Sequence, residues 1–89
     1  MKAQYNIDVE EVVAQVTVVW TAILPLEYLP ELFELRSWVC LYPFDIIEKA
    51  LHSTTRKLAK TGGEAGMSRE YCINYAHACM RNMAQESGR

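Results

Sequence analysis

Apolar residues at Val9, Val12, Val13, Val16, Val19, Trp20 and Ile23 recur at intervals of three and four. That spacing gathers them on one face of a helix, because 3.6 residues complete a turn. It predicts a first helix over residues 8–24. Asp8 and Glu11 have the spacing of a capping box, in which each side chain satisfies a backbone N–H at the helix start. The valines and threonines of the segment favour extended backbone, so a strand through residues 16–20 is the competing reading. Length and capping favour the helix.

Three breaks, at residues 25–30, 42–43 and 61–66, separate three further segments. In the second helix, predicted over 30–41, Pro30 suits the first helical position, where a missing N–H costs nothing. Glu31 and Glu34 lie near the positive end of its dipole, and Leu32, Leu35, Trp38, Val39 and Tyr42 form the stripe expected to be buried. The third helix, 43–60, starts at Pro43. It carries Asp45 and Glu48 in its first turns and Arg56, Lys57 and Lys60 in its last, as the macrodipole prefers. Asp45 and Lys49 are spaced for an ion pair. Ile46, Ile47, Ala50, Leu51, Thr54 and Leu58 are expected to face the core. Gly62 and Gly63 end the helix, one of them in the left-handed conformation after the cap. The fourth helix, 69–85, is capped by Ser68 and lines one face with Cys72, Tyr75, Ala76, Cys79, Met80 and Met83. Fraying is expected from Glu86 onward. Four amphipathic helices with short connections predict an all-α, compact four-helix fold, with residues 1–89 as a single domain. The first helix is apolar over more than one face, which favours a homodimer.

Composition narrows this picture. Of 89 residues, 51% are hydrophobic and 22% charged, which excludes a disordered chain. Four glycines and three prolines exclude a collagen-like one. So small a core leaves little room for a large substrate cleft. The net charge of −2 conceals an asymmetry. Residues 1–48 hold two basic and eight acidic side chains, a net of −6, and residues 49–89 hold seven basic and three acidic, a net of +4. A basic half can meet an anionic partner; ordinary solvated faces or head-to-tail contacts are the plainer explanation. No secretory signal is visible after Met1-Lys2. The apolar stretch 9–24 is too short and too charged to span a bilayer, so a cytoplasmic, membrane-free protein is expected. Three cysteines do not suggest a disulfide framework.

Candidate chemistry is sparse. Cys72 and Cys79 are seven residues apart, about 10 Å along a helix axis, too far for a disulfide or a shared zinc ion. His77 converges with neither, so free, buried cysteines are the expectation. His52 and His77 could meet between the last two helices, but nothing in their spacing requires it. Glu27, Glu31 and Glu34 are explained by capping and solubility. The glycine-rich segment 61–66 is no phosphate loop, since no Gly-Lys-Ser/Thr follows. It does bring Lys57, Lys60 and Arg69 to either side of one connection. With Arg56 and Arg81 these form a candidate phosphate-binding patch, to which Tyr71 and Tyr75 could add stacking.

Residues 32–83 carry a further pattern. It comprises Leu-Phe-Glu-Leu-Arg-Ser-Trp, then Tyr-Pro-Phe-Asp-Ile-Ile-Glu-Lys-Ala-Leu, a glycine-bearing turn, Ser-Arg-Glu-Tyr-Cys-Ile-Asn-Tyr-Ala and Met-Arg-Asn-Met. This resembles the C-terminal helical domain of DnaD-type primosomal and phage replication proteins. Trp38, Asp45, Ile46, Ile47, Ala50, Leu51, Tyr71 and Tyr75 carry the likeness. The family's final tryptophan has no equivalent, Met83 standing nearest, and the first helix has no counterpart. The resemblance implies contact with DNA or a replication protein through the last helix, and no enzymatic activity.

The expected function is therefore that of a small non-enzymatic module, phage- or plasmid-like. It would bind DNA or a nucleic-acid-processing protein through Arg56, Lys57, Lys60, Arg69 and Arg81, with no cofactor, metal or small-molecule substrate. The alternative is an acidic protein–protein module, an adaptor, a helical subunit or a nucleic-acid mimic. It would present Tyr28, Glu31, Phe33 and Glu34 as its contact surface.

Overall fold

The computed structural model describes residues 8–63 and 66–87. Among them the architecture is all-α: α1 (Val9–Ile23), a 3-10 turn (Leu26–Tyr28), α2 (Leu32–Leu41), α3 (Phe44–Lys60) and α4 (Arg69–Ser87). The four helices enclose one core, with α3 packed most extensively against α4 and α1 lying against both α2 and α3.

α1 is helical throughout, including residues 16–20. Its β-branched residues are offset by burial and capping. Val13, Val16 and Trp20 are buried, with Val9, Val12, Val19 and Ile23 packed around them. The Asp8 carboxylate accepts from the Glu10 and Glu11 amides at 3.1 and 3.3 Å. Such a cap is worth about 1 kcal/mol. The Thr17 hydroxyl donates to the Val13 carbonyl at 2.8 Å, so its polarity is satisfied within the helix.

Both prolines stand just outside their helices rather than in the first helical position. Pro43 is the N-cap of α3 and Pro30 precedes the α2 N-cap, Glu31. An extended backbone at each cap (ψ near 155°) delays the helix by one or two residues. In α2, Leu35, Trp38 and Val39 are buried as expected, but Tyr42 is half-buried and Leu32 is 48% exposed. α2 is short and meets the core along one narrow stripe, which its first turn overshoots. In α3 all six expected core residues are buried. The Thr54 hydroxyl donates to the Ala50 carbonyl at 2.8 Å, which permits its full burial. Asp45 and Lys49 form no ion pair. Among the described residues the ion pairs are Arg36–Glu10 at 2.8 Å and Arg69–Glu31 at 3.6 Å, both solvent-exposed.

The end of α3 is left-handed, with φ of +94° at Gly62 and +75° at Gly63. α4 begins at the Ser68 cap, whose hydroxyl accepts from the Tyr71 amide at 3.1 Å. Its helix extends to Ser87, two residues beyond the predicted end at Gln85; residues 64–65 and 88–89, the latter part of the segment expected to fray, lie outside the described residues. Trp20 and Trp38 form the centre of the core, ring centroids 6.4 Å apart and both fully buried. The Trp20 indole N–H donates to the Pro25 carbonyl at 3.0 Å. That of Trp38 is buried with no hydrogen-bond partner among the described residues. No helix among the described residues is long and apolar enough to cross a membrane.

Candidate nucleic-acid interface

The basic residues of the second half arise on two packed helices, but they do not converge equally. Arg56, Lys57 and Lys60 occupy the last turns of α3. Lys60 and Arg56 are exposed and Lys57 is half-exposed. Lys57 leans over α4, its ammonium 5.9 Å from the centroid of the Tyr75 ring. That is within the range at which a cation is drawn to the negative face of an aromatic ring. The Arg56 guanidinium donates to the Ser53 hydroxyl at 3.1 Å. Its charge also reaches the Tyr75 hydroxyl and the Cys79 thiol, acting on both to lower their pKa values.

Tyr75 stacks on Tyr71, one helical turn earlier, with ring centroids 6.4 Å apart and planes inclined by 14°. With Asn74 these two rings line an open cavity of about 210 Å³ on the outer face of α4. Burial and the adjacent Cys79 raise the Tyr75 pKa above its ordinary value despite the opposing Arg56. Burial likewise raises the Cys79 thiol, against the pull of the Tyr75 hydroxyl and Arg56.

Arg69 is turned away from this group. Its guanidinium donates to the Leu29 carbonyl at 2.8 Å and pairs with Glu31. One residue of the expected basic patch thus binds one residue of the expected acidic surface. Arg81 is exposed. Six residues beyond Tyr75 and seven beyond Asn74, it lies about 120° round the helix from the first and nearly in line with the second, two turns on.

On the acidic side, Phe33 is 71% exposed, Glu31 is exposed and Glu34 is half-buried. Tyr28 is half-buried rather than exposed, because its hydroxyl donates to the Met67 carbonyl just before α4. A short 3-10 turn seated against α4 cannot leave that ring free in solvent.

The histidines do not meet as a pair. His52 is exposed on α3, whereas His77 packs beside Trp38, centroids 6.2 Å apart, and shares a 3.3 Å hydrogen bond with the Tyr42 hydroxyl. All three cysteines are free: Cys72 is buried, Cys79 half-buried and Cys40 exposed. Of the pair expected to be buried, Cys72 is and Cys79 is only partly so; Cys40 lies on the outer side of α2 beside the buried Val39. Among the described residues no group of three or more His, Cys, Asp or Glu could hold a metal ion.

Asn74 and the Lys57–Tyr75 contact were not singled out from the sequence. The first was within reach, since residues three and four apart share a helix face. The second required the rotation of α3 against α4. Set against family models, curated proteins and solved structures, the chain matches none.

Proposed function

We propose that this helical module contacts nucleic acid through the end of α3 and the outer face of α4, and performs no catalytic chemistry. Arg56, Lys57 and Lys60 are the principal phosphate contacts. Arg81 adds charge from the flank, and Arg69 contributes only when released from Glu31. The observation that carries this reading is the placement of the Lys57 ammonium over the half-buried Tyr75 ring, which stacks on the exposed Tyr71. Cationic groups beside aromatic faces are the combination that nucleic-acid grooves use. The likeness of residues 32–83 to DnaD-type C-terminal domains points in the same direction. Contacts of this kind position a backbone without reading sequence.

A salt titration with single- and double-stranded oligonucleotides is the test. Three phosphate contacts should give a log K against log salt slope of about −2 to −3, and Lys57→Glu with Lys60→Glu should abolish binding. Absence of binding to any oligonucleotide at low salt would reject the reading. That result would favour the acidic side, where Leu26, Leu32 and Phe33 stand exposed beside Glu27 and Glu31. They would serve as a protein-binding surface.

A further inference from the structure

We propose that the cavity formed by Tyr71, Asn74 and Tyr75 receives an unpaired nucleobase, so that the nucleic acid held by this module is single-stranded. The inference rests on the reading of the α3 end as a phosphate-binding surface and goes further in naming the form of the ligand.

Tyr71 is 51% exposed although its ring is large and flat. Tyr71 lies outside the buried core, whereas Cys72, Ala76 and Met80 supply the core face of the same helix. The four-residue spacing of Tyr71 and Tyr75 places both rings on one stripe of α4, and they lie nearly parallel. The surface they make is apolar, flat and aromatic, which suits a π-face and is indifferent to which base provides it. A cavity of about 210 Å³ is smaller than the roughly 300–1,000 Å³ of sites for drug-sized ligands. It suits one flat ring system and leaves the sugar and phosphate outside.

The polar surroundings match that division. Lys57 lies over the Tyr75 ring with Arg56 close by, beside the cavity, where a phosphate leading to a stacked base would need neutralising. The Asn74 side chain is exposed and makes no hydrogen bond among the described residues. Its amide offers both donors and an acceptor to a base edge, enough to hold a base without demanding one identity. A duplex cannot use this surface. Its bases are stacked on one another, and only an unpaired or extruded base exposes a face. An apolar peptide side chain would gain from the tyrosines but not from the two cations.

The test compares three fluorescein-labelled ligands of equal length and charge per strand: oligo-dT, a strand of abasic sites, and a duplex. Oligo-dT should bind about 5- to 100-fold more tightly than the abasic strand and more tightly than the duplex. Tyr71→Ala should remove most of that margin while leaving abasic binding and its salt slope unchanged. Since Tyr71 is largely exposed, this variant tests stacking without disturbing the core. Tyr71→Phe should retain the margin, because stacking needs the ring and not the hydroxyl. Equal binding of oligo-dT and the abasic strand, or an unchanged margin in Tyr71→Ala, would overturn the proposal and leave the phosphate-binding reading standing. Failure of all three ligands to bind would overturn both.

Discussion

At the scale of single residues, Cys72 shows how packing changes chemistry. Its thiol is fully buried against the core of α3 and α4. Burial disfavours the thiolate and pushes its pKa up to about 11, from 9.0 for an exposed thiol. The neutral form is thus the one the fold stabilises. For a pKa raised on folding, the contribution is complete below the unfolded value and is lost as pH rises through the folded value. The stability advantage of the wild type over Cys72→Ala should therefore be constant below pH 9 and shrink between pH 9 and 11. The shrinkage should be on the order of 2 kcal/mol. Urea denaturation of both proteins across that range measures it, and the subtraction removes the titration of lysines and tyrosines. A pH-independent difference would show that the thiol is not sealed. Tyr75 carries a raised pKa from a similar cause, but it borders solvent, so its hydroxyl stays within reach of Arg56.

At the scale of elements, the α3–α4 connection is set by local geometry at its ends. Gly62 and Gly63 adopt positive φ with open space around the missing side chain. Gly66 is constrained differently. A Cβ there would lie 1.7 Å from the Thr61 carbonyl oxygen, a backbone atom that cannot swing aside. Gly66→Ala should cost about 1–3 kcal/mol, the usual range for overpacking, or displace the Ser68 cap. The cost should show as a lowered denaturation midpoint. A neutral result would mean that the connection has room to move. Because α3 and α4 together carry Lys57 and the tyrosines, Gly66→Ala should also weaken any ligand that needs both helices.

At the scale of the whole molecule, the two charged halves are joined. Arg69 on α4 holds the Leu29 carbonyl and pairs with Glu31, while Tyr28 bonds to the Met67 carbonyl. These contacts tie the 3-10 turn and the start of α2 to the start of α4. The Arg69–Glu31 ion pair is exposed and should contribute little, whereas the bond to the carbonyl satisfies a backbone acceptor. Glu31→Gln should therefore change stability by less than about 0.5 kcal/mol, and Arg69→Ala should cost about 1–2 kcal/mol. Thermal unfolding of the two variants separates these roles. Equal losses would show that the ion pair, not the carbonyl bond, holds the turn.

The division between what residue order specifies and what packing adds follows from the range of each interaction. The α3 core set, Ile46, Ile47, Ala50, Leu51, Thr54 and Leu58, was legible because one helix's periodicity selects its own buried face. The Asp8 and Ser68 caps, and a left-handed glycine after α3, were legible because the interactions that set them lie within a turn; that both Gly62 and Gly63 take positive φ was not. The helical state of α1 was legible only as a balance, since β-branched propensity opposed periodicity until burial of Val13, Val16 and Trp20 settled it. The candidate site was legible as residue types, basic groups at the end of α3 and two tyrosines on one stripe of α4. Its geometry was not. Whether Lys57 meets Tyr75, and whether Arg69 joins the patch or Leu29 some 40 residues away, depends on how helices rotate against one another. That rotation is chosen by the whole core at once, with Trp20 and Trp38 at its centre. No single helix carries the information, so the surface those side chains build is decided only when the four helices pack.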